Sequence, residues 1–124
     1  MDKVGAKVMN IPKFYEVLFG VYIYVLELQN GKYYVGISRN PEYRFYEHRI
    51  GKTSKFVEQN LPIKNIRLKL LDSTDWSEGL KEETRLTVKL IGKFGLENVC
   101  GGAINGDLKR RTIRYSRYKK HGRK

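Results

Sequence analysis

The apolar run Val21-Tyr22-Ile23-Tyr24-Val25-Leu26-Glu27-Leu28, then Asn30-Gly31, then Lys32 to Ser38, constrains this chain more than any other feature. β-Branched and aromatic residues dominate the first stretch, as they do in strands. Asn-Gly tolerates positive φ at both positions and reverses a strand onto itself. The chain is therefore expected to form an antiparallel hairpin here. Gly36, inside the returning strand, predicts a bulge or a close backbone approach.

Helical punctuation follows. Asn40-Pro41 reads as an N-cap with proline at the first helical position, Glu42 suits the positive helix end, and Gly51 stops a helix reaching about Ile50. A short helix is predicted over Ser54–Asn60, before Leu61-Pro62. Ile66 to Leu70 alternates apolar and basic residues like a half-buried strand. Asp75 and Glu78 have capping-box spacing ahead of a helix from Trp76 to about Phe94, which Gly95 ends. Trp76 is expected to staple the start of that helix to the core. Gly101-Gly102 predicts a tight loop. The order ββααβα gives an α+β class: a small three-stranded antiparallel sheet flanked by helices, with a basic C-terminal tail. No internal repeat is present. The expected organisation is an N-terminal extension over 1–19 packing on the domain, a domain over 20–106 and a tail over 107–124.

With 124 residues, one domain is the natural reading. The apolar runs fall short of the about 20 residues that span a bilayer. Met1 to Gly5 leads into no apolar h-region, so an intracellular, non-secreted protein is expected. The single cysteine, Cys100, forms neither an internal disulfide nor a cysteine zinc cluster, and burial is its expected state. A reducing compartment is the default.

Charge is the first functional clue. The net charge is +12, yet the 9 basic residues from Lys109 to Lys124 meet no acid, leaving only +3 in the residues before them. Lys109, Arg110, Arg111, Arg114 and Arg117 suit phosphate binding, which releases counterions, and Tyr115 and Tyr118 suit base stacking. A solvated tail that only aids solubility is the plain alternative, and attraction to anionic membranes a lesser one. Arg49, Lys52 and Lys55 around Gly51 are further backbone contacts or simply solvated.

The chemistry-bearing residues are sparse. Tyr22 and Tyr34 lie on adjacent hairpin strands and can share a face. Arg44 and His48 are four residues apart on one helix. On the long helix, Leu80, Thr84, Thr87, Ile91 and Phe94 define an apolar stripe, with Glu82 on the charged face beside Arg85, Lys89 and Lys93. Glu83 sits about 60° from the stripe centre, where an acid is costly unless paired or bound to a cation; a salt bridge is the plain alternative. Taken singly, the tyrosines read as core or sheet residues, Arg44 as a surface residue, His48 as structural and Asn98 as a turn or cap.

Together, Gly20-Val21-Tyr22, Tyr34-Val35-Gly36, Arg44, His48, Glu83 and Asn98 resemble the GIY-YIG nuclease superfamily, over about Gly20 to Ile104. Phe94 to Gly102 also resembles an ending of many stand-alone members, with Cys100 where Arg is common. Ile37 stands where repair-type members carry Lys. The resemblance implies an endonuclease that hydrolyses DNA, double-stranded or branched, using Mg²⁺ or Mn²⁺. It implies Tyr34 as general base, Tyr22 as a site-lining partner, Arg44 on the scissile phosphate, His48 as a phosphate contact or proton-transfer aid, Glu83 as the metal carboxylate and Asn98 as an ordering residue. Magnesium keeps several waters and accepts one or two carboxylates, and arginine offers a planar fork for phosphate. The alternatives are a non-catalytic nucleic-acid-binding module and a nuclease subunit that needs a protein partner.

Overall fold

The computed structural model describes residues 20–122. The extension expected over 1–19 lies outside them. Strands β1 (Tyr22–Leu28) and β2 (Lys32–Ser38) form the hairpin, with Asn30 (φ 64) and Gly31 (φ 69) left-handed in the turn. Helices α1 (Pro41–Arg49) and α2 (Lys55–Gln59) follow, then β3 (Pro62–Leu70), α3 (Trp76–Phe94), β4 (Val99–Gly101) and α4 (Leu108–Arg117). No helix among the described residues is long and apolar enough to cross a membrane.

The class is α+β, but the sheet is mixed and has four strands in the order β3-β1-β2-β4. This corrects the expected three-stranded antiparallel sheet. β4 is only three residues long and pairs parallel to β2, Tyr33 with Val99 through Val35 with Gly101. So short a strand has no alternation to read, and only the return from α3 sets it beside β2. β3 is the other edge; it starts at Pro62, where an edge strand tolerates proline, and takes two register shifts against β1.

Alternation divides the sheet between two cores. Val21, Ile23, Val25, Val35 and Ile37 pack against Leu86 and Leu90 of α3. Tyr24, Leu26 and Leu28 pack on the opposite face with Val57, Tyr34, Phe45 and Phe56. A third cluster, Ile91, Val99 and Ile104, is closed by Tyr115 and Tyr118 among others.

The segment read as a tail is therefore largely helix. Asp107 caps α4 by accepting from Arg110 N at 2.8 Å. Arg111, Tyr115 and Tyr118 recur at i, i+4 and i+7 and turn one side of that segment inward.

The N-caps expected at Asn40 and Asp75 form on α1 and α3, and Ser54, read as the first residue of α2, is its N-cap. The reciprocal half of the α3 capping box does not form: Glu78 pairs with Lys81 at 3.5 Å. Trp76 is 39 % exposed and is not the core staple expected of it. Leu80 is also exposed, and the buried side of α3 is Gly79, Glu83, Thr84, Thr87 and Ile91. The buried stripe is thus turned about 30° toward Glu83.

Candidate active site

The hairpin register builds the site. Tyr24 pairs with Gly36 and Leu26 with Tyr34, so the two tyrosines are diagonal neighbours on one face. The Tyr24 ring lies over Gly36, and a Cβ there would overlap its hydroxyl. The close approach expected at Gly36 is thus a ring over a backbone, with no bulge between β1 and β2. The Tyr24 and Tyr34 ring centroids are 6.4 Å apart.

Helix α1 crosses this face. Phe45 packs edge-on against Tyr24 at 5.2 Å, which sets the helix rotation. Arg44 and His48, four residues apart, then both turn toward the phenols. His48 is fully buried. Its Nε2 is 2.8 Å from the Tyr24 hydroxyl and its Nδ1 is 2.8 Å from Thr53 Oγ1. Its ring also meets Tyr34 edge-on at 5.0 Å. Burial, then the Arg44 charge, push its pKa down to about 4 against the weaker pull of Glu47, so the imidazole is neutral at pH 7. Arg44 Nη1 bonds Glu47 Oε1 at 3.0 Å, and its charge acts on both phenols, favouring their ionised forms.

Glu83 arrives from the other side of the sheet. β4 pairs with β2 only as far as Val35, which leaves the edge of β2 bare over 36–38. Gly79, one turn before Glu83, packs against Val21 and Ile37, so α3 approaches closely there. The Gly102 backbone, just past β4, acts on the Glu83 carboxylate and favours its charged form. Gly102 has φ 52 and sits against Thr84, whose Oγ1 accepts from Ala103 N at 3.0 Å. Glu83 is 7 % exposed. Burial pushes its pKa up to about 7, against the Gly102 hydrogen bond and the Arg44 charge. Among the described residues it makes no ion pair, so the salt bridge weighed as its plain alternative does not form; Glu82 pairs with Arg85.

The phenols are held protonated. Burial, then the Glu83 and Cys100 charges, raise Tyr34 to about 12 against the opposing Arg44. Burial raises Tyr24 further. Cys100, paired with Tyr34 across β2 and β4, is buried and pushed up to about 11.

Five residues thus converge: Tyr24, Tyr34, Arg44, His48 and Glu83. Tyr22 shares the Tyr24 face but lies one pleat further along, opposite Ser38 and Leu70; it is Tyr24 that bonds His48. Tyr24 was missed because its alternation with Tyr22 leaves both on one face, and only the helix above selects between them. Asn98 stays outside the group: it donates to Phe94 O at 2.8 Å and accepts from Lys32 Nζ at 2.9 Å, closing α3.

The basic residues also divide. Arg49, Lys52, Lys55, Lys109, Arg110, Arg114 and Arg117 are exposed. Arg111 is buried, with its guanidinium 4.8 Å from the Phe56 ring centroid and donating to the carbonyls of Gly106, Leu96 and Glu97. At 4 % exposure, with Nη1 and Nη2 bonded to carbonyls and Nε buried without a partner, Arg111 is beyond the reach of a phosphate, so the expected contact there is corrected to an anchor for α4.

A family model described as the GIY-YIG catalytic domain matches residues 20–89, from the hairpin through most of α3. The chain belongs to the GIY-YIG family. Curated relatives include a UPF0213 protein, spr1390, of Streptococcus pneumoniae, and a second UPF0213 protein of that species; each is 40% identical over 45 residues, 36% of this chain. The chain covers 46% of the length of these relatives. No solved structure gives a significant match. The GIY-YIG match contains Tyr24, Tyr34, Arg44, His48 and Glu83, whereas Asn98, β4 and α4 lie beyond it.

Proposed function

We propose that this GIY-YIG chain is a divalent-cation-dependent endonuclease that hydrolyses phosphodiester bonds in DNA. The convergence of two phenols, a guanidinium, a neutral imidazole and a buried carboxylate at the bare end of β2 carries this reading. The donor set fits a single Mg²⁺ or Mn²⁺: Glu83 is buried and makes no ion pair among the described residues, and a hard ion keeping most of its waters needs few protein oxygens. A cation held there supplies charge for a phosphoryl oxygen and the leaving oxygen.

The remaining roles fall to the chain itself. Arg44 binds the scissile phosphate through a guanidinium preorganised by Glu47. Tyr34 orients the attacking water. Neutralising Glu83 removes the largest charge opposing ionisation of Tyr34, which lowers its pKa toward that of a usable base. Tyr24, fixed by His48, holds the second phenol against Arg44. His48, fixed in turn by Thr53, sets that hydrogen bond without itself carrying charge. The exposed cations of α1, α2 and α4 supply salt-sensitive affinity for DNA.

The deciding experiment is cleavage of supercoiled plasmid and of a labelled branched duplex with Mg²⁺, with Mn²⁺ and with chelator, beside Glu83→Gln and Arg44→Ala. Metal-dependent nicking that disappears in both variants while DNA binding persists is expected. Binding without cutting on every substrate would replace this reading with a binding module or a partner-dependent subunit.

A further inference from the structure

A cleft of about 530 Å³ opens beside the catalytic group, lined by Ile37, Ser38, Arg39, Asn40, Arg44 and Trp76. Among the described residues, two guanidinium groups and an indole line it, and no carboxylate does. Arg39 sits with Cζ 5.4 Å from the Trp76 ring centroid and donates Nη2 to Thr74 O at 3.1 Å, which holds the pair in place. Ser38 and Asn40 are already bonded locally: Asn40 N donates to Ser38 Oγ, and Asn40 Oδ1 accepts from Tyr43 N. The distinctive surface of the cleft is therefore a braced indole–guanidinium pair.

Two further relationships tie the cleft to the reaction. Arg44 lines it and also carries the charge that acts on both phenols. Trp76 and Glu83 are seven residues apart on one side of α3, about 10 Å along the axis, a distance of one to two nucleotide steps. Trp76, the single tryptophan of the chain, is 39 % exposed where the helical pattern would have buried it. An exposed indole beside guanidinium groups suits the face of a base and the negative charge of its strand.

We propose that this cleft seats the base of a DNA nucleotide flanking the scissile phosphate, with Trp76 and Arg39 as its stacking platform and Arg44 linking it to the reaction site. The inference rests on the nuclease reading. Stacking tolerates any base, so the subsite supplies register along the strand rather than sequence choice.

Trp76 reports on its own site. In chelator, where no cutting occurs, the wild-type chain is titrated with a short single-stranded oligonucleotide and with an abasic strand of equal length, exciting at the red edge where tyrosine does not absorb. A saturable quench by the first strand and not by the second is expected. Trp76→Ala, followed by anisotropy, should weaken binding of the base-bearing strand about tenfold and leave the abasic strand unchanged. No quench at saturation, an equal quench by the abasic strand, or unchanged affinity in Trp76→Ala would each overturn the proposal. The two readings fail separately: plasmid nicking without a quench removes the subsite, and a quench without nicking removes the nuclease.

Discussion

The Tyr24 hydroxyl and His48 Nε2 lie 2.8 Å apart, joining β1 to α1 inside the core. One ring nitrogen of His48 donates and the other accepts, between Tyr24 and Thr53. The bond therefore orients a phenol at the site and satisfies a buried imidazole in the fold.

Tyr24→Phe and Tyr22→Phe should separate. Removing the Tyr24 hydroxyl leaves buried His48 short of a partner and costs about 1–3 kcal/mol. Single-turnover nicking should fall by about two orders of magnitude, the scale of one lost transition-state hydrogen bond. Tyr22→Phe should stay near wild type in both. Equal losses in denaturant melts and in nicking would return the role to Tyr22.

His48 and Glu83 give opposite pH slopes. The folded pKa of His48 is lowered to about 4 from 6.5, so its unfolded state binds more protons between those values and stability is lost as pH falls through them. The folded pKa of Glu83 is raised to about 7 from 4.5, so its contribution is full below 4.5 and is lost as pH rises through 7. The two nearly cancel from pH 4.5 to 6.5 in the wild type. Glu83→Gln should expose the His48 slope, with stability rising by about 2–3 kcal/mol across that window. His48→Gln should expose the opposite slope. Urea melts at several pH values check both signs.

Magnesium should stabilise the folded chain above pH 7, where Glu83 is ionised. At tenfold excess over Kd, the gain is about 1.4 kcal/mol. The midpoint of thermal unfolding should rise with Mg²⁺ in the wild type and stay fixed in Glu83→Gln. An equal rise in both would place the ion elsewhere.

Arg111 and its exposed neighbours should behave differently. Arg111→Ala strands three carbonyl acceptors and removes a contact with Phe56, at a cost of about 2–4 kcal/mol. Arg114→Ala or Arg117→Ala should barely change stability, and each should lower the salt slope of DNA binding by about 0.9. Filter binding at graded salt, beside denaturant melts, separates the classes.

Much of this protein is set by local rules. The hairpin, the caps at Asn40, Ser54 and Asp75, and the long helix follow from turn chemistry and periodicity acting over a few residues. So does the facing of Arg44 and His48, since helix spacing alone puts them together. Glu83 was legible as an unusual acid because any helix with that pattern brings it near the apolar side. The tertiary structure decided what depends on distant segments meeting. Phe45 packing against Tyr24 chose that tyrosine over Tyr22. Return of the chain from α3 made a parallel strand of Val99–Gly101, set Gly102 against Thr84 beside Glu83 and ended that strand early enough to leave the β2 edge bare. The groove between Phe56 and the Leu96, Glu97 and Gly106 carbonyls turned Arg111 from a basic residue of a tail into an anchor. Periodicity names the face a residue shares, but which neighbour closes that face is fixed only by the packing of the whole chain.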